Sequence, residues 1–227
     1  MQHEILYRGA FPIIRCRLSR GEQIKAEADA MIAMSPTIDI EGKREGSFLG
    51  GLVRSLVTNE SFFFQYLTAA RGDGEALLGH AIPGAIESVE LDGSHGFIIQ
   101  KGGFLAAAPS VELDTKTQDF AKGLFSGAGF FLLHAHGRGP LFISCYGAAH
   151  AIDLAPGEEI VIDNGHLVAW QDNMAYDVQK SSSGWVSSLK SGEGVVCRFK
   201  GPGRILIQTR NPNGFASWLS ALLPSRD

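Results

Sequence analysis

Residues 18–34 read LSRGEQIKAEADAMIAM, residues 91–107 read LDGSHGFIIQKGGFLAA, and residues 154–170 read LAPGEEIVIDNGHLVAW. Aligned on their leucines, the three segments agree at fixed offsets. Six residues on stand Ile24, Phe97 and Ile160; thirteen on stand Met31, Phe104 and Leu167; fifteen on stand Ala33, Ala106 and Ala169. Gly102 and Gly165 share offset eleven in the second and third copies. Coincidence at four positions in three segments marks an internal repeat, which decides the fold before any single residue does.

Each segment is punctuated by turn residues. Ser19-Arg20-Gly21, Asp92-Gly93-Ser94 and Pro156-Gly157 precede the first apolar run, and Gly102-Gly103 or Asn164-Gly165 divides the two runs. The spacing predicts strand, tight turn, strand, a β-hairpin with one apolar face and alanine where packing is closest. A segment of helical spacing follows each: Phe48, Leu49, Leu52, Val53, Leu56 and Val57; Phe120, Leu124 and Phe125; Trp185, Val186 and Leu189.

A second predicted hairpin comes next. Its outgoing strands read SFFFQYLTA, GFFLLHAHG and GVVCRFKG, its turns RGDG from Arg71, GRGP from Gly137 and GPGR from Gly201, and its return strands EALLGHAI, PLFISCYG and RILIQTRN. The leucine spacings of 73 and 63 residues suit small β-sandwich units. The expected boundaries are 10–85, 86–148 and 149–212. Residues 213–227 form an amphipathic tail helix carrying Phe215, Trp218, Leu219, Leu222 and Leu223, stopped by Pro224. That helix reads as packing on its own chain, with a neighbouring subunit as the other choice.

Composition narrows the class. Among 227 residues there are 28 glycines, and only 19% of residues are charged. Many tight turns account for the first; surface withdrawn into subunit contacts accounts for the second. The net charge of -4 argues against a nucleic-acid partner, which needs clustered Lys and Arg. No run reaches the roughly 18 apolar residues of a spanning helix, and the N-terminus carries no secretory signal pattern, so a cytoplasmic setting is expected. Cys16, Cys145 and Cys197 form no CxxC and read as buried apolar residues in a reducing compartment.

The three repeats, the stretch GPGRILIQTRNP from Gly201 and the block LVRSLVTNESFFF from Leu52 resemble the altered-inheritance-of-mitochondria protein 24 family, described as TRAP-like after the Trp RNA-binding attenuation protein fold. The resemblance covers nearly the whole chain. It implies an all-β protein of three tandem TRAP-like β-sandwich repeats with pseudo-threefold symmetry, short helices and the C-terminal helix. It also implies a homotrimeric ring of pseudo-ninefold character, with no defined catalytic residues and no cofactor. Fungal relatives are linked to mitochondrial organisation. The N-terminus here lacks an Arg- and Ser-rich presequence, which favours a bacterial member.

Candidate chemistry lies in two places. His134 and His136, at i and i+2 on a strand, project to one face and suit two ligands of one metal, as in a cupin-like metal-dependent enzyme. The cupin motif itself is not met: Ala128 stands where it needs glycine, and Pro140 and Leu141 where it needs glutamate. The other reading is a hydrogen-bonded or exposed pair. Arg71, Arg138 and Arg204 at the glycine-rich turns are candidate anion ligands, or turn arginines paired with nearby acids. Glu158 and Glu159 point to opposite faces of an extended segment, and no GxSxG appears. The reading reached is a non-enzymatic homo-oligomeric scaffold or ligand-binding protein, with the His134/His136 enzyme and an RNA-binding ring as alternatives.

Overall fold

The computed structural model describes residues 1–9, 11–45, 62–100, 102–117, 131–180 and 195–223. Short β-branched and aromatic runs between glycine turns make the described residues all-β apart from one helix near the C-terminus. In order, the strands are β1 (Gln2–Leu6), β2 (Ile13–Leu18), β3 (Gln23–Glu27), β4 (Met31–Met34), β5 (Asp39–Glu45), β6 (Phe62–Thr68), β7 (Gly74–Leu78), β8 (Gly84–Asp92) and β9 (Phe97–Gln100). They continue as β10 (Phe104–Ala107), β11 (Val111–Thr117), β12 (Phe131–Tyr146), β13 (Ala149–Leu154), β14 (Glu159–Asp163), β15 (Leu167–Gln171), β16 (Ala175–Lys180), β17 (Val195–Lys200) and β18 (Gly203–Gln208), followed by α1 (Pro212–Leu222). The three segments of helical spacing, around 48–57, 120–125 and 185–189, lie outside the described residues.

Two sets of partnerships recur along the chain. β7 lies between β2 and β4, the second half of β12 between β8 and β10, and β18 between β13 and β15. Likewise β6 lies between β3 and β5, the first half of β12 between β9 and β11, and β17 between β14 and β16. Further antiparallel pairs link consecutive sets: β10 with β3, through Ala106↔Ala26, and β15 with β9, through Ala169↔Ile99. The alanines at offset fifteen each follow a β-bulge, at Met31/Ala33, Phe104/Ala106 and Leu167/Ala169.

These pairings correct the hairpin expectation. The tight turns are present: the Ala30, Gly103 and His166 amides donate to the Glu27, Gln100 and Asp163 carbonyls at 3.1, 2.9 and 3.0 Å. The flanking strands nevertheless belong to different ladders, β3 with β6 and β4 with β7, instead of pairing with each other. The same holds for β6 and β7. In the second copy burial on both faces accounts for this: Phe97–Ile99 and all of Phe104–Ala107 are buried, so β9 and β10 have no solvated face for a two-stranded ribbon to present.

Three clusters fill the interior. One gathers Ile14, Cys16, Ile24, Leu67, Leu78, Leu105 and Phe142; a second gathers Phe97, Ile99, Val111, Leu133, Ala135 and Leu141; a third centres on Trp170, Phe199, Leu132 and Ile205. Each mixes strands from neighbouring parts of the chain. The three cysteines are buried, and desolvation pushes each thiol up to about 12, as a packing role requires.

Helix α1 departs from expectation. Asn211 caps it, its Oδ1 accepting from the Asn213 and Gly214 amides at 2.9 and 3.4 Å, and Pro212 opens its first turn. None of its residues is buried, and Trp218 stays 59% exposed. Among the described residues, it meets the strands through an edge-on contact of Phe215 with Tyr146.

Candidate functional site

The first half of β12 runs antiparallel between β11 and β9, and strand alternation sorts its residues. Leu133 and Ala135 enter the second cluster. Leu132, His134 and His136 share the opposite face, where Leu132 is covered by the third cluster and the histidines emerge toward solvent. The register sets Asp114 opposite His134 and Glu112 opposite His136.

A connected group of acids and imidazoles results. His136 Nε2 lies 3.0 Å from Asp114 Oδ2 and 4.0 Å from Glu112 Oε2. His134 Nε2 lies 2.8 Å from Asp172 Oδ2, carried by the turn after β15. His95 Nδ1 stands 4.0 Å from the other Asp172 oxygen. The two imidazole centroids are 4.8 Å apart, and one ligand atom from each of Asp114, His134 and His136 falls within 4.8 Å of the others.

Gly96 makes this closeness possible. A Cβ there would stand 2.4 Å from the Ala135 carbonyl, 2.9 Å from Asp172 Oδ2 and 3.0 Å from His134 Nε2. The Asp172 amide also donates to the Gly96 carbonyl at 3.0 Å. Burial works to raise the Asp172 carboxyl. The hydrogen bonds at His134 and Gly96, with the nearby His134 and His95 charges, outweigh it and hold the group below its ordinary value.

His134 and His136 were visible in the sequence. Asp114 and Glu112 were not, because only the register identifies them, and Asp172 comes from a turn 38 residues beyond His134. The matching places elsewhere hold Tyr66 and Thr68 opposite Glu41 and Asp39, and Arg198 and Lys200 opposite Asp177 and Ala175.

The turn arginines are spread over the chain, each engaged close to its own turn. Arg71 pairs with Asp39 and donates to the Pro36 carbonyl. Arg204 forks onto Asp153, Nε to Oδ1 at 2.7 Å and Nη2 to Oδ2 at 2.8 Å, and that hydrogen bonding holds the Asp153 carboxyl below its ordinary value. At the middle turn the Ser94 hydroxyl and amide hold the Asp92 carboxyl down, with the Arg138 charge adding to them. A cleft of about 480 Å³ beside Arg204 is also walled by Glu90, Asp92 and Asp153, acids that oppose an anionic occupant.

Against known proteins, residues 3–210 match the family model described as Mitochondrial biogenesis AIM24. The chain belongs to that family. An uncharacterised protein of Streptococcus pyogenes serotype M6 is 33% identical to it over 222 residues, spanning 95% of this chain and 88% of the relative. An X-ray structure of a Streptococcus pyogenes protein superposes with a TM-score of 0.78 at 30% identity, covering 98% of this chain and 99% of that one. Among the described residues, no helix is long and apolar enough to cross a membrane.

Proposed function

We propose that this AIM24-family chain is a non-enzymatic cytoplasmic scaffold or partner-binding protein, built of three TRAP-like β-sandwich units with pseudo-threefold symmetry. The units are 10–85, 86–148 and 149–212, followed by the helical tail 213–227, and three chains join head to tail as a homotrimeric ring. The observation that carries this reading is a pair of vacant edges. Among the described residues, β10 and β15 are sandwiched between two partners, whereas β4, in the same place beside β7, has one. β3 and β9 are likewise flanked on both sides, whereas β14 has β17 alone among the described strands.

The exposed surface agrees. β4 reads MIAM and is exposed throughout, with Ile32 at 56%; Val161 on β14 is 52% exposed. An apolar edge strand left in water invites pairing, and complementary ends on one chain give a heterologous contact that closes as a ring. The number three rests on the family resemblance. Carrying over the register of the two internal junctions sets Ala33 opposite Ile162 and Met34 opposite Val161 of the next copy.

Native mass spectrometry of the full chain tests the assembly: a trimer is expected, and a monomer at micromolar concentration overturns it. A sharper check is a Met34→Cys/Val161→Cys chain under mild oxidation. The buried native thiols do not compete, and covalent dimer and trimer should form. An oxidised sample that stays monomeric in mass would refute the register.

A further inference from the structure

We propose that Asp114, His134 and His136 form a binding site for one divalent transition ion of the zinc type, held on β11 and β12. Two imidazole nitrogens and a carboxylate oxygen are a donor set that suits Zn²⁺, Co²⁺ or Ni²⁺ over Mg²⁺ or Ca²⁺. Bonds of about 2.0–2.1 Å in a tetrahedral site require donors roughly 3.3 Å apart. His136 Nε2 and Asp114 Oδ2 are already 3.0 Å apart, and all three donors lie within 4.8 Å, so side-chain adjustments on a fixed backbone complete the geometry.

The surroundings support the same assignment. His134 engages Asp172 through Nε2 at 2.8 Å; with Nδ1 as the ligand, Asp172 would be the carboxylate that orients a ligating imidazole. Asp172 is itself fixed by the Gly96 carbonyl, and the absent Cβ of Gly96 admits the pair. Glu112, 4.0 Å from His136 Nε2, adds negative charge beside the site. With neutral imidazoles, Glu112, Asp114 and Asp172 give the patch a surplus of negative charge that a cation offsets.

Among the described residues, the site occurs once. At the matching places Arg198 and Lys200 would repel a cation, and Tyr66 and Thr68 offer no nitrogen ligand.

Full-length, tag-free protein stripped with chelator should be titrated with Co²⁺, read by its visible ligand-field bands, and with Zn²⁺ in competition. One ion per chain is expected. His136→Gln and Asp114→Asn alter exposed or half-exposed side chains, so the metal-free variants keep the parent's thermal midpoint while affinity falls at least tenfold. Asp172→Asn, acting through His134, lowers affinity about 10–100-fold. Uptake well below one equivalent at micromolar ion would overturn the assignment, as would uptake unchanged in the double variant His136→Gln/Asp114→Asn.

Discussion

Strands β4 and β15 hold the same station and meet opposite fates. Each pairs with the strand that returns from a second turn, and each has a bulge two residues before its end of that ladder. In β15 the residue after the alanine is Trp170, 1% exposed and set edge-on to Tyr176 and Phe199. In β4 it is Met34, 38% exposed. The difference does not lie in local propensity, since both strands are apolar. It lies in the neighbour: β15 has β9 on its other side, and β4 has none among the described residues. A repeat stacked in one dimension leaves its end units incomplete, and under the proposed assembly another copy would fit there.

The largest expected effect separates these two stations directly. In a Val161→Lys background, chosen to keep the chain from assembling, Trp170→Ala should cost about 3–5 kcal/mol in urea unfolding. Met34→Ala in the same background should stay within about 0.5 kcal/mol. Equal losses at both positions would show that β4 is covered inside the single chain.

The alanines sharpen the contrast at a smaller scale. Ala106 is fully buried between Phe142 and Ala26, so Ala106→Leu should overpack the junction and lower stability by about 1–3 kcal/mol. Ala33 faces only Leu77 across its ladder and is exposed on β4. Ala33→Leu should leave the thermal midpoint of the unassembled chain unchanged, yet lower trimer mass in native spectra of the otherwise wild-type protein.

Some of this was legible in the sequence and some was not, for physical reasons. The repeated leucine, glycine and alanine offsets mark strand positions because turns and close packing constrain single residues. Pairing partners were misread: a glycine turn between two apolar runs looks the same whether the runs pair or diverge into separate sheets. Fully apolar stretches such as FLAA were the available clue, because a half-exposed ribbon would alternate. The same limit hid half of the histidine cluster. The i, i+2 spacing of His134 and His136 announces one face, but Asp114 joins them through register and Asp172 through a junction between distant strands. The apolar periodicity of α1 predicted a helix correctly, yet carried no information on what it packs against.

The smallest effect concerns acid, at the seam next to β4. His80 follows β7, accepts at Nδ1 from the Ile82 amide at 3.2 Å, and has Glu27 Oε2 3.9 Å from its other nitrogen. Burial lowers the His80 pKa below its ordinary 6.5. A depressed folded pKa means that the unfolded chain binds the proton first, so the stability is present above pH 6.5 and is lost as pH falls through the folded value. Glu27 works in the other direction. Burial, aided by Asp29, raises its carboxyl above 4.5, so the folded chain takes up that proton first and gains stability as pH falls through the raised value. Thermal midpoints should therefore decline shallowly below pH 6.5 and flatten on approaching 4.5. His80→Gln should remove the decline while keeping the later gain, and an unchanged decline in that variant would place the acid sensitivity elsewhere than this seam.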